Sequence, residues 1–150
     1  MNRVLNRFLV VLLFAAGCSS GNHSMAQREP SSIRIGAGGG FSGFYSGYGI
    51  KSSGEVVSWQ RRSLTSPDTI LASAKVNPDS LDFFFRYLDE VDFKSLDYLS
   101  SGNMNYSIEY TIGEKSHRVS WGDSDPSAPE EIKVFYTLVA GAGHRFTGNK

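Results

Sequence analysis

The stretch that decides the fold is Asn105-Tyr106-Ser107-Ile108-Glu109-Tyr110-Thr111-Ile112-Gly113-Glu114-Lys115-Ser116-His117-Arg118-Val119-Ser120-Trp121. Tyr106, Ile108, Tyr110 and Ile112 alternate with polar residues, and His117, Val119 and Trp121 alternate likewise after a glycine. A period of two is the mark of a strand with one buried face, so two such runs about a short turn predict an antiparallel hairpin. With Gly113-Glu114 as a two-residue turn, Ile108 opposes Val119, Tyr106 opposes Trp121, and Glu109 meets Arg118 on the other face. A turn at Glu114-Lys115 would preserve the same faces, so both registers remain open at this point. His117 falls on the apolar face beside Tyr110 or Ile112, as a packed and hydrogen-bonded histidine.

Outward from the hairpin the pattern changes to helical. Leu81, Phe84, Phe85 and Leu88 recur at helical spacing after Asn77-Pro78, a cap followed by proline at the first helical position. On the other side, Ser127-Ala128-Pro129-Glu130 reads as a capping box. It opens a helix whose buried stripe is Ile132, Phe135, Tyr136 and Val139, and which Gly141 and Gly143 are expected to end. Further upstream, an extended segment begins at Ile33 and meets the cluster Gly36, Gly38, Gly39, Gly40 and Gly43. Extended chain resumes near Phe44, Ser52-Ser53-Gly54-Glu55 makes a turn into a strand at Val56, and Ile70 begins a further strand or short helix, of which we prefer the strand. Strands and helices come in groups without βαβα alternation, which gives one α+β domain, a small antiparallel sheet with two packed helices, spanning residues 33–141, followed by a flexible tail at 142–150.

The first residues read differently. Residues 1–7 are basic, 8–16 are apolar, and Ala15, Ala16 and Gly17 are small residues before Cys18, the only cysteine in the 150-residue chain. Nine apolar residues span about 14 Å as a helix, against roughly 30 Å of hydrocarbon, so the run is a signal segment and not a lasting transmembrane helix. Phe14-Ala15-Ala16-Gly17-Cys18 resembles the bacterial lipobox, with Ala15 where leucine is usual. The resemblance implies a signal peptide at 1–17, a diacylglycerol thioether and an N-acyl chain on Cys18, a lipid bilayer as first partner, and a cell-envelope location. Ser19 after the cysteine resembles the sorting signal for the outer membrane, facing the periplasm. Residues 18–32 hold Ser, Gly, Asn, Gln and Pro with almost no large apolar residue, which makes a tether of about 20 Å average reach. His23, within it, is a solvated linker histidine.

Composition limits the chemistry. With 40% hydrophobic and 13% aromatic residues a core forms without disulfides. Of 15 basic residues, loss of Arg3 and Arg7 leaves 13 against 15 acidic ones, so nucleic acid, which needs clustered positive charge, is not expected as a partner. Gly38-Gly39-Gly40-Phe41-Ser42-Gly43 matches a dinucleotide fingerprint, but Phe44-Tyr45-Ser46-Gly47-Tyr48 reads as extended chain where a helix must open. Asp123, Asp125, Glu130 and Glu131 are dense carboxylates without calcium-loop spacing and read as solvated residues near a helix start. Ser120 and His117 point to opposite faces of one strand, which breaks a Ser–His–Asp arrangement with Asp123. No catalytic residue, metal ligand or cofactor is expected. Phe41, Phe44, Tyr45 and Tyr48, threaded through glycines, either fold inward as a strand face or stand out as a recognition surface for polypeptide or sugar.

The order of elements is similar to that of emfourin, a bacterial inhibitor of thermolysin-like metalloproteases. The points of likeness are Gly39-Gly40-Phe41 with Gly43 after the first strand, the helix ending in Leu88 to Phe93, the hairpin, and the Pro129-started last helix, with the segment 56–76 longer than in that family. Gly102-Asn103-Met104 and Phe135-Tyr136 resemble envelope lipoproteins of Bacteroidota. The first likeness implies a non-enzymatic domain that binds a protein, in one form a protease, and carries over no inhibitory residue; the second implies no activity. Exposed aromatics binding glycan or peptidoglycan is the alternative, and an enzyme the third reading.

Overall fold

A computed structural model describes residues 29–148. The expected signal peptide, Cys18 and most of the tether lie outside the described residues. Among the described residues, six strands form one antiparallel sheet: β1 (Ser31–Gly39), β2 (Tyr45–Lys51), β3 (Glu55–Arg61), β4 (Thr69–Lys75), β5 (Met104–Ile112) and β6 (Lys115–Gly122), in the order β4-β3-β2-β1-β5-β6. Two helices, α1 (Asp82–Glu90) and α2 (Glu130–Thr147), accompany it. The α+β class, with two helices on a small antiparallel sheet in one domain, is as the sequence predicts, and 70 begins inside a strand, not a helix.

The hairpin takes the Gly113-Glu114 turn, with Ile108 opposite Val119, Tyr106 opposite Trp121 and Glu109 opposite Arg118. Strand alternation then sorts the whole sheet into two faces. Ile33 and Ile35 of β1, Ile50 of β2, Val56 of β3, Ile108 and Tyr110 of β5, and Val119 and Trp121 of β6 all turn one way and are buried. This is the core face. The amphipathic stripe of α1 brings Phe84, Phe85 and Leu88 onto it, each burial stabilising the fold by about 1.5 to 3 kcal/mol, and α2 adds Ile132, Phe135 and Val139. The helices meet through rings: Tyr87 stacks on Phe135 at 5.2 Å between centroids, and Phe84 meets the same ring edge-on at 6.3 Å.

Three expectations are corrected. Gly141 and Gly143 do not end the last helix, which continues to Thr147 and closes at Gly148 in the left-handed region, φ 64°. Gly143 is an interior position because the Tyr48 ring lies where a Cβ would stand, so the glycine admits a close contact and does not break the helix. Residues 142–147, expected as tail, therefore belong to the domain. The capping box does not form: the residue before α2 is Pro129, no side chain caps the helix, and the Ser127 N–H donates to Asp125 Oδ1 at 2.9 Å. Finally, Ser31 and Ser32, assigned to the tether, are the first residues of β1, with Ser31 opposite Ile112.

Candidate functional site

The sheet's second face carries Arg34, Gly36 and Gly38 from β1, Gly49, Gly47 and Tyr45 from β2, and Val57, Trp59 and Arg61 from β3. Glycines two apart on adjacent strands, with Gly36 directly opposite Gly47, leave a bare strip of backbone. Two aromatic side chains fill it. A Cβ on Gly36 would stand 2.7 Å from Trp59 Cζ2, so the indole packs directly against that glycine, and the Tyr45 ring occupies the corresponding space at Gly38. Trp59 is only 2% exposed, yet it belongs to the uncovered face and not to the core cluster.

Charge encloses the indole. The Arg34 guanidinium stands 3.7 Å from its ring centroid, and that of Arg61 stands 5.3 Å from the same ring and 5.6 Å from Tyr45. Arg34, Trp59, Arg61 and Tyr45 thus form a ladder of alternating cations and rings, an arrangement in which each guanidinium faces the negative side of an aromatic quadrupole. Arg34 also reaches across to Asp68, in the connection before β4, with 2.5 Å between Nη1 and Oδ2. At the opposite end of the ladder lies the β1–β2 turn. There Phe41 is fully exposed, at 110%, and Phe44 is 45% exposed.

The four aromatics singled out in the sequence therefore do not share one environment. Phe41 and Phe44 stand out on the turn, Tyr45 lies along the ladder, and Tyr48 turns to the core face beneath Gly143. Tyr48 is removed from the recognition surface by the odd spacing from Tyr45, which sends the two rings to opposite sides of β2. Sequence reading missed Arg34, Trp59, Arg61 and Asp68. The signal available for them was the pair of Gly-x-Gly runs, Gly36-Ala37-Gly38 and Gly47-Tyr48-Gly49. Such spacing empties one strand face of side chains and calls for a large residue from a neighbouring strand to cover it.

Several polar groups outside the ladder have local partners. His117 Nε2 lies 2.7 Å from the Leu96 carbonyl oxygen, and Phe93 meets its ring edge-on at 5.5 Å between centroids, the packed histidine expected from its place on β6. Asp125 accepts from the Ser100 and Tyr98 hydroxyls and from the Ser127 N–H. Those bonds, that of Ser100 foremost, hold its carboxyl below the usual carboxylate range, and in turn the Asp125 carboxylate raises the Tyr98 phenol. Asp125 is thus a staple joining the 98–100 segment to the start of α2. Where Tyr106, Trp121 and Tyr136 cluster, burial first and the neighbouring Tyr106 and Tyr48 next push the Tyr136 phenol up to about 12. Among the described residues, no group of three or more His, Cys, Asp or Glu side chains stands together as a metal site. The β1–β2 turn is not followed by a helix, so the G-x-G-x-x-G match lacks the amides that hold a pyrophosphate.

Neither protein-family models nor curated proteins match this chain.

Proposed function

We propose that the chain is a lipid-anchored envelope protein whose domain is a non-enzymatic binding module, holding a protein partner at the turn that carries Phe41 and Phe44. The observation that supports this reading most is a matter of direction. The chain enters the domain beside the β5–β6 turn, where the Gly113 N–H donates to the Pro30 carbonyl at 2.9 Å. β1 then runs nine residues, roughly 30 Å, to the aromatic turn at the other end of the sheet. A domain tethered through Cys18 and the residues after it has its membrane-side attachment at one end and its exposed rings at the other.

A protein is favoured over a glycan because Phe41 and Phe44 carry no polar atom. Two exposed phenylalanines beside the charged ladder make the apolar centre and polar surround of a protein contact, whereas sugar recognition needs hydrogen-bonding groups around the stacking ring. Leu64, 58% exposed on the neighbouring β3–β4 connection, extends the apolar end. Both halves of the proposal have a test. Cells fed labelled palmitate incorporate it into the wild-type chain and not into Cys18→Ser; label in that variant contradicts anchoring at Cys18. Affinity capture from cross-linked envelopes recovers a defined protein with wild type and loses it with the double variant Phe41→Ser/Phe44→Ser. Equal recovery by that variant contradicts the binding end.

A further inference from the structure

Among the described residues, four buried side-chain nitrogen or oxygen atoms have no hydrogen-bond partner, and three of them belong to the ladder: Arg34 Nη2, Trp59 Nε1 and Arg61 Nε. All three are donors, and both guanidiniums stand against the same indole. A buried donor without an acceptor keeps its full desolvation cost, so three in one cluster is an unfavourable arrangement for a face that only has to be covered. Val57, Ile70, Gly49 and Trp59 line a cleft of about 150 Å³ next to Arg34, with Lys51 at its rim. Gly49 keeps it open: a Cβ there would already be 3.0 Å from Val57 Cγ2. That space is below the range of drug-sized pockets and suits one small group with a short apolar portion.

We propose that this cleft is a binding site for a carboxylate, and that Asp68 is its internal stand-in. Arg34 is the recognising cation: its planar fork offers Nη1 to Asp68 while Nη2 is left free for a second oxygen, and carboxylates take such forks two bonds at a time. An incoming carboxylate displaces Asp68, takes both nitrogens of the fork and sets its apolar portion against Val57 and Ile70. The exchange releases the β3–β4 connection that Asp68 holds down. Lys51 does not compete for the role, since Glu55 already holds its ammonium at 2.7 Å. The site is separate from Phe41 and Phe44, so it stands or falls independently of the partner proposed for that end.

The test uses the 15N-labelled full-length chain in detergent, titrated with N-acetylalanine as a peptide-type carboxylate, glucuronate as a sugar acid, and N-acetylalaninamide, which lacks the carboxylate. The Trp59 indole N–H and the Arg34 and Arg61 Nε–H signals are followed, and the Trp121 indole, on the core face, is the internal control. Saturable shifts of Trp59 but not Trp121 are expected with at least one carboxylate and not with the amide, and the probe that titrates names the source. Asp68→Asn, which removes the competitor and keeps the fold's shape, is expected to tighten binding about fivefold, the worth of a surface ion pair. Arg34→Gln is expected to abolish it. No saturable shift with either carboxylate, an equal response to the amide, or unchanged or weaker binding by Asp68→Asn overturns the proposal.

Discussion

The two faces of this sheet solve the same problem, covering the strands, with opposite materials. On the core face, large aliphatic and aromatic side chains interdigitate with two helices; His117 there bonds the Leu96 carbonyl and Tyr110 bonds Asp89, and among the described residues Ser31 Oγ is the one buried side-chain oxygen or nitrogen on that face without a partner. On the other face, glycines strip the strands bare, one indole and one phenol ring cover them, and two guanidiniums stand over those rings. The first arrangement accounts for stability. The second leaves three donors without acceptors and an exposed aromatic turn at its end, the two features on which the proposed binding roles rest.

If that division is right, the largest loss of stability comes from the core face. Phe135, fully buried and touching Tyr87 and Phe84, is expected to cost about 3 to 5 kcal/mol on truncation to alanine, read as a lower urea midpoint. Next is alkaline pH. The folded Tyr136 phenol holds its proton to about pH 12, while the unfolded chain releases it near 10. Stability present below pH 10 is therefore lost as pH rises from 10 to 12, by about 2 to 3 kcal/mol. Denaturant melts at pH 9, 11 and 12 measure this, and Tyr136→Phe is expected to flatten that part of the profile.

On the other face, Gly36→Ala pushes the indole off its seat and is expected to cost about 1 to 3 kcal/mol, with Trp59 fluorescence shifting to the red as the ring meets water. An unshifted spectrum would mean that Gly36 does not seat the ring. The smallest effects come from a pair of glycines in α2. Gly141 has open space around it, so Gly141→Ala is expected to stabilise by about 0.5 to 1 kcal/mol. Gly143→Ala meets the Tyr48 ring and is expected to destabilise despite alanine's better helix propensity. Calorimetric melting of the two variants should move in opposite directions.

Much of the core face was legible because its signals are local. The alternation around Ile108 and Val119 gives faces and pairing together, and only the choice between two turns needed the structure. The spacing of Phe84, Phe85 and Leu88 likewise gives the buried stripe of α1, although Asn77-Pro78 opens a separate 3-10 turn at Pro78–Ser80 and Leu81 stands just before the helix. What failed depended on contacts distant in sequence. Ser127 and Glu130 have the right spacing for a cap, but Asp125 takes the Ser127 N–H while tied to Tyr98 and Ser100. Gly143 looks like a terminator until Tyr48, almost a hundred residues earlier, is placed against it. The ladder was illegible for the same reason, since Arg34, Trp59 and Asp68 come from two strands and a connection whose register sequence spacing does not supply.

The division of labour between the faces is tested most directly by placing a photo-crosslinking residue at Phe41 or at Val134 of the chain in its native envelope. Both positions are exposed, the first on the aromatic turn and the second on α2. We expect a discrete protein adduct from Phe41 and none from Val134. The same adduct from both positions, or an adduct from Val134 alone, would contradict the account.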